Sequence, residues 1–161
     1  EALAEFRSVK RRMELVGEVG SVNNSVRIFD DFAHHPTAIK LTLSGAKANQ
    51  TVQKRSGRLI AVLEPRSNTM KLGEHKAKLA ASVEDADATY WLEPEGLSWS
   101  LTEAVAGMNN QTVCHTVAAL EAQLLNDIQA GDDVVIMSNG SFSGLHRSLL
   151  ANLKQQEIEL S

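Results

Sequence analysis

Apolar and polar positions along the 161-residue chain alternate between two periods. Residues 12–19 and 26–31 read as strands. Residues 59–63 (Leu-Ile-Ala-Val-Leu) and 134–137 (Val-Val-Ile-Met) are continuous apolar runs, as expected of strands buried on both faces. Residues 88–92 and 112–117 complete the strand set. Between these runs the period lengthens. Pro36 suits a first helical turn, where a missing N–H costs nothing, and Ile39, Leu43 and Ala46 follow at helical spacing. Leu72, Leu79 and Val83 mark one side of a helix near 73–83, and a weaker helix is expected near 101–107. Val117, Leu120, Leu124 and Ile128 form an amphipathic stripe, and Leu145, Leu149, Leu150 and Leu153 form the last one.

Strand and helix therefore alternate at least four times, which predicts an α/β fold: a doubly wound, mainly parallel sheet. The first two strands are close enough to form a hairpin through Asn23 and Asn24, placing an antiparallel element at one edge. Residues 1–161 read as one domain without repeat or interior linker. The chain opens on Glu1 and enters a helical pattern at 3–6, which suggests a piece of a longer protein.

Composition narrows the functional classes. Aromatic residues are 4% of the chain, too few for a base-stacking platform. The net charge is −4 and no basic stripe is visible, so nucleic acid is not an expected partner. No apolar stretch approaches the roughly 20 residues that cross a bilayer, so no membrane partner is expected. The lone cysteine, Cys114, reads as a buried small hydrophobe and fits a reducing, cytoplasmic setting. His75, His115 and His146 read as structural or solvated, Trp91 and Trp99 as packing residues, and Lys10-Arg11-Arg12 as a solvated face that could touch a neighbouring domain.

In open sheets of this type ligands sit beyond the carboxyl ends of the strands. Three polar clusters occupy such places. Asp30-Asp31-Phe32-Ala33-His34-His35-Pro36 ends a strand and opens a helix, where a carboxylate can accept from ribose hydroxyls or help hold a cation, and histidines can donate to a phosphate or a developing anion. A bound metal is not expected here, because adjacent histidines rarely chelate one ion well and no His-x-x-x-His or Cys pair completes a tetrahedral set. Glu64-Pro65-Arg66-Ser67-Asn68-Thr69-Met70 directly follows the strand at 59–63, and its guanidinium with neighbouring hydroxyl and amide groups suits a carboxylate. Ser138-Asn139-Gly140-Ser141-Phe142-Ser143-Gly144 lets the backbone approach a ligand before a helix. It is not a P-loop, since Gly-x-x-x-x-Gly-Lys is missing.

Together these clusters resemble the C-terminal domain of the Mur ligase family. Asp31-Phe32-Ala33-His34-His35-Pro36-Thr37 is similar to the family's Asp-aromatic-small-His-His-Pro-Thr element, and Phe6 to Glu14 resembles its entry into this domain. The stretches Glu64 to Met70 and Met137 to Gly144 resemble the branch that adds a tripeptide, where the alanine-adding branch would show a Pro-His-Arg-Tyr-like stretch. The resemblance implies an ADP-forming ligase with three domains. The first binds the UDP-sugar, the second carries the P-loop and magnesium ligands, and the third binds the amine substrate and closes over ATP. This chain matches only the third, so it would not catalyse alone.

The implied reaction phosphorylates the carboxylate of UDP-N-acetylmuramate with ATP and Mg2+. The tripeptide L-alanyl-γ-D-glutamyl-meso-diaminopimelate, salvaged from wall turnover, then attacks the acyl phosphate. The resemblance assigns Asp31 to the ATP ribose and His34, with His35 nearby, to the phosphate region. It assigns Arg66, Ser67 and Asn68 to peptide carboxylate recognition, and Ser138, Asn139 and Phe142 to peptide positioning, partly through backbone groups. The alternatives are the alanine-adding ligase and a non-catalytic Rossmann-like binding module.

Overall fold

The computed structural model describes residues 12–22, 24–65, 76–97, 99–138, 140 and 142–160. In chain order the elements are strand β1 (Glu14–Val19), β2 (Val26–Asp31), helix α1 (Pro36–Val52), β3 (Leu59–Leu63), α2 (Lys76–Ser82), β4 (Ala88–Leu92), α3 (Leu101–Ala104), β5 (Gln111–Cys114), α4 (Val117–Asp127), β6 (Asp133–Met137), a short 3₁₀ turn (Phe142–Gly144) and α5 (Leu145–Leu160). The strands form one six-stranded sheet in the order β1-β2-β6-β3-β4-β5. β1 runs antiparallel to β2, and every other pairing is parallel. The expected α/β class and edge hairpin are both present.

β3, β4 and β6 are buried at every position, because helices cover both faces. Side chains alternate along a strand, so each contributes to two cores. Ile60, Val62, Val134 and Ile136 pack with Leu120 and Leu124 of α4 and Leu145 and Leu149 of α5. Leu59, Ala61, Leu63 and Val135 pack with Ile39 and Leu43 of α1, Leu79 of α2 and Leu101 of α3. Cys114 is buried, and burial pushes its thiol pKa up. Trp91 is fully buried in the second core.

Several boundaries differ from the sequence reading for local reasons. The strand expected over 112–117 ends at Cys114, because the Thr116 hydroxyl caps α4 by accepting from the Ala119 amide at 3.1 Å. The helix near 101–107 shortens to four residues after the Ser100 cap, and Gly107 turns at φ +86°. In the β1–β2 turn the positive φ falls on Gly20, at +108°. Asn23 lies outside the described residues.

At the amino ends of the parallel strands the polar groups are consumed by structure. Arg27 makes a two-pronged pair with Asp133, both contacts 2.7 Å, and Arg55 reaches the same carboxylate at 3.2 Å. Gln50 donates to Asp133 at 3.1 Å, and Arg58 pairs with Asp132 at 2.7 Å. This network ties β2, β3 and β6 together at that rim. The described residues of the sequence's polar clusters lie at the other rim.

Candidate functional site

β6 lies between β2 and β3, and its register pairs Met137 with Asp31 on one side and with Leu63 on the other. The three strands thus end at one level, and the residues after them are brought side by side. The Ser138 amide donates to the Asp31 carbonyl at 3.1 Å, and the Ser138 hydroxyl donates to the Glu64 carboxylate at 3.3 Å. The Gly140 amide returns to the Ser138 hydroxyl at 3.0 Å. The loops that follow β2, β3 and β6 therefore leave from a single hydrogen-bonded rim.

Asp31 is only 4% exposed. Its Oδ1 accepts from the Ala33 amide at 2.8 Å and from the Thr42 hydroxyl at 3.4 Å, and its Oδ2 accepts from the Met13 amide at 3.0 Å. Burial pushes its pKa above the ordinary value, and the two amides and the hydroxyl pull part of the way back. A carboxylate oxygen has two acceptor positions, so Oδ2 keeps capacity toward a ligand hydroxyl. The side chain also lines a groove of about 590 Å³ with Arg12, Phe32, Leu41 and Thr42. Arg12 stands over the Phe32 ring, 5.5 Å from its centroid.

His34 and His35 sit at the start of α1. His35 is the N-cap residue, with Pro36 as the first helical residue and no side-chain cap bond. His34 Nδ1 lies 3.0 Å from the Phe32 carbonyl, and the two imidazole rings are 4.4 Å apart. Two imidazoles thus stand beside the N-terminus of a 17-residue helix, chemistry that suits an anion. Among the described residues no group of three or more His, Cys, Asp or Glu is gathered to hold a metal ion.

The remaining expected site residues divide. Ser138 is buried within the rim. Phe142 is fully buried in the core with Leu145 and Leu149, so its ring is committed to packing and only its backbone faces the loop chemistry. Arg66, Ser67, Asn68 and Asn139 lie outside the described residues, as does His75. Glu64 stands on the rim two positions before Arg66.

Two rim residues were missed by the sequence reading. Glu93 follows β4 directly, accepts from the Leu101 amide at 2.7 Å and stands 3.6 Å from His115. A search for polar residues after each apolar run should have included it. Arg12, read as part of a solvated face, lines the groove beside Asp31. No sequence signal distinguished it from Lys10 and Arg11.

A family model described as Mur ligase, glutamate ligase domain, matches residues 11–140. A UDP-N-acetylmuramate–L-alanyl-γ-D-glutamyl-meso-2,6-diaminoheptandioate ligase of Haemophilus influenzae is 44% identical over 96% of this chain and 33% of its own length. A UDP-N-acetylmuramate–L-alanine ligase of Mycolicibacterium vanbaalenii is 32% identical over 96% of the chain and 32% of its own length. The crystal structure of a murein peptide ligase from Psychrobacter arcticus superposes with a TM-score of 0.74 at 46% identity, covering 90% of this chain and 30% of that one. The chain thus spans about a third of the length of these relatives. With the family match covering most of its residues and the fold agreeing with a solved relative, the chain belongs to the Mur ligase family, in its glutamate ligase domain.

Proposed function

We propose that this chain is the peptide-binding, nucleotide-covering domain of an ATP-dependent ligase that joins UDP-N-acetylmuramate to L-alanyl-γ-D-glutamyl-meso-diaminopimelate. The observation that carries the reading is the single rim formed when Ser138 bonds to both Asp31 and Glu64. A rim of this kind lets one domain meet a nucleotide on the Asp31 side and a peptide on the Glu64–Ser138 side. The greater identity to the tripeptide-adding relative than to the alanine-adding one, 44% against 32%, supports the peptide substrate.

In the complete enzyme ATP would transfer its γ-phosphoryl group to the UDP-N-acetylmuramate carboxylate and release ADP, with Mg2+ offsetting the phosphate charge. The residues of this chain bind and cover. Asp31 accepts from the ribose through the remaining capacity of Oδ2, and Arg12 stands on the same groove. His34 and His35, with the α1 amides, face phosphate charge. Arg66, Ser67 and Asn68 receive the peptide carboxylate, and the backbone of the loop from Ser138 to Phe142 positions the chain. Closing the domain excludes water that would hydrolyse the acyl phosphate. By resemblance to the family, the magnesium ligands are assigned to the central domain. Phosphorylated and UDP-linked substrates of this kind place the enzyme in the cytoplasm. No helix among the described residues is long and apolar enough to cross a membrane.

The full-length enzyme carrying this chain, supplied with ATP and UDP-N-acetylmuramate, is expected to release ADP with tripeptide and far less with free L-alanine. Preference for alanine would overturn the substrate. In the same assay Arg66→Ala is expected to raise KM for tripeptide more than for ATP, and an unchanged peptide dependence would remove Arg66 from the site.

A further inference from the structure

We infer that His146 is a positioning residue for the peptide substrate, acting through Asp30 on the loop that follows β6; this rests on the reading above that the loop holds the peptide. β2 ends in two consecutive carboxylates, and alternation along the strand sends them to opposite faces. Asp31 is met on the α1 side by Ala33 and Thr42. Asp30 is met on the α5 side, where His146 Nε2 stands 2.9 Å from its Oδ1. Both side chains are largely buried, at 12% and 19% exposure. The ring nitrogen meets the carboxylate oxygen without a well-directed hydrogen bond, so the contact positions the two side chains by close polar packing.

The pair closes the loop on itself. At its start, the Ser138 amide is fixed to the Asp31 carbonyl. At its end, His146, the second residue of α5, is fixed to the side chain of Asp30. Two neighbouring residues of β2 thus hold both ends of the segment 138–146. Between them Phe142, Ser143 and Gly144 run at φ 51°, 51° and 74°, a left-handed backbone that the first two residues adopt only when their surroundings impose it. Phe142 is imposed upon by the core, and the His146–Asp30 contact holds the far side. The pair also stands in a groove of about 680 Å³ between β1 and α5, with Glu14, Gly144 and Arg147, so relaxation of the ring has room to occur.

The test uses the full-length enzyme. His146→Ala is expected to raise KM for tripeptide about ten-fold while KM for ATP and for UDP-N-acetylmuramate stay within two-fold, since a loop displaced by a fraction of an ångström loses orientation only where it touches substrate. His146→Gln, which keeps a polar side chain of similar reach against Asp30, is expected to restore most of the loss. Asp30→Asn is expected to reproduce the loss, and the double variant His146→Ala/Asp30→Asn to be no worse than either single one. Asp30→Asn, which conserves volume, carries the same test if the alanine variant loses its fold. An unchanged tripeptide KM, an equal rise for ATP, or additive losses in the double variant would overturn the inference. Wild-type enzyme that rejects the tripeptide would instead overturn the function proposed above.

Discussion

Met13 and Asp31, eighteen residues apart, are joined by a 3.0 Å hydrogen bond from the Met13 amide to the Asp31 carboxylate. Met13 stands just before β1 at φ +47°, a conformation a non-glycine residue holds only under constraint. The same carboxylate also holds the Ala33 amide, at the turn into α1. One side chain thus ties the residue before β1 to the turn that opens α1.

Asp31→Ala therefore loses more than a ligand contact. It leaves two amides without their acceptor and is expected to lower stability by about 1–3 kcal/mol, measured by urea unfolding. Asp31→Asn retains one acceptor oxygen and is expected to lose less. A fully stable alanine variant would show that the carboxylate serves the ligand alone.

Two carboxylates are expected to respond oppositely to pH. Burial raises the pKa of Asp31 above 3.8, so the proton-linked part of its contribution is fully present below 3.8 and is lost as pH rises through its folded value, leaving its bonds to the two amides. Asp127 accepts from Gln123 at 2.9 Å and from the Tyr90 hydroxyl at 2.7 Å, and these bonds lower its pKa. Its contribution is present above 3.8 and is lost as pH falls through its folded value. Titration of the two carboxyl carbons by NMR is expected to place Asp31 above 3.8 and Asp127 below it, and the reverse order would contradict the burial described for Asp31.

At the opposite rim, Asp133→Ala would leave the Arg27 and Arg55 guanidinium groups without their shared partner, in side chains only 14% and 10% exposed. The expected cost is about 3–5 kcal/mol, read from the unfolding midpoint at constant denaturant slope. A loss under 1 kcal/mol would mean that water replaces the carboxylate there (about the scale of an exposed pair).

Gly57 and Gly45 are expected to respond to alanine with opposite signs. A methyl group on Gly57 would run into the Gly131 carbonyl and the Asp132 amide, which are backbone and cannot swing aside. The expected loss exceeds about 2 kcal/mol. Gly45 lies within α1 with nothing inside 4 Å of the added methyl, so alanine there is expected to gain about 0.5–1 kcal/mol. Thermal unfolding of the two variants checks both signs.

Much of the fold was legible because burial on both faces leaves a plain record. The runs at 59–63 and 134–137 could not be amphipathic surface elements, and the structure places them at the centre of the sheet. Boundaries were less legible. The apolar run through Val117 looked continuous with its strand, but one hydroxyl at Thr116 was enough to start a helix instead. Asp31, His34, His35 and Ser138 were singled out because polar residues follow strands, and the structure places them at or just beyond the carboxyl ends of β2 and β6. Phe142 was misjudged in part, since its motif position does not reveal that its ring fills a core. His146 was read as structural or solvated, because its partner Asp30 is distant in sequence.

By itself, the sequence determined the alternation of strands and helices, the two-faced core and the places where polar loops must leave the strands. These follow from local periodicity and from the cost of burying polar groups, which act residue by residue. Only the tertiary structure decided that β6 inserts between β2 and β3. That insertion brings Ser138 to Asp31 and Glu64 and sets His146 against Asp30. Strand order is settled by pairing between segments far apart in the chain, and no local pattern records which neighbours will meet.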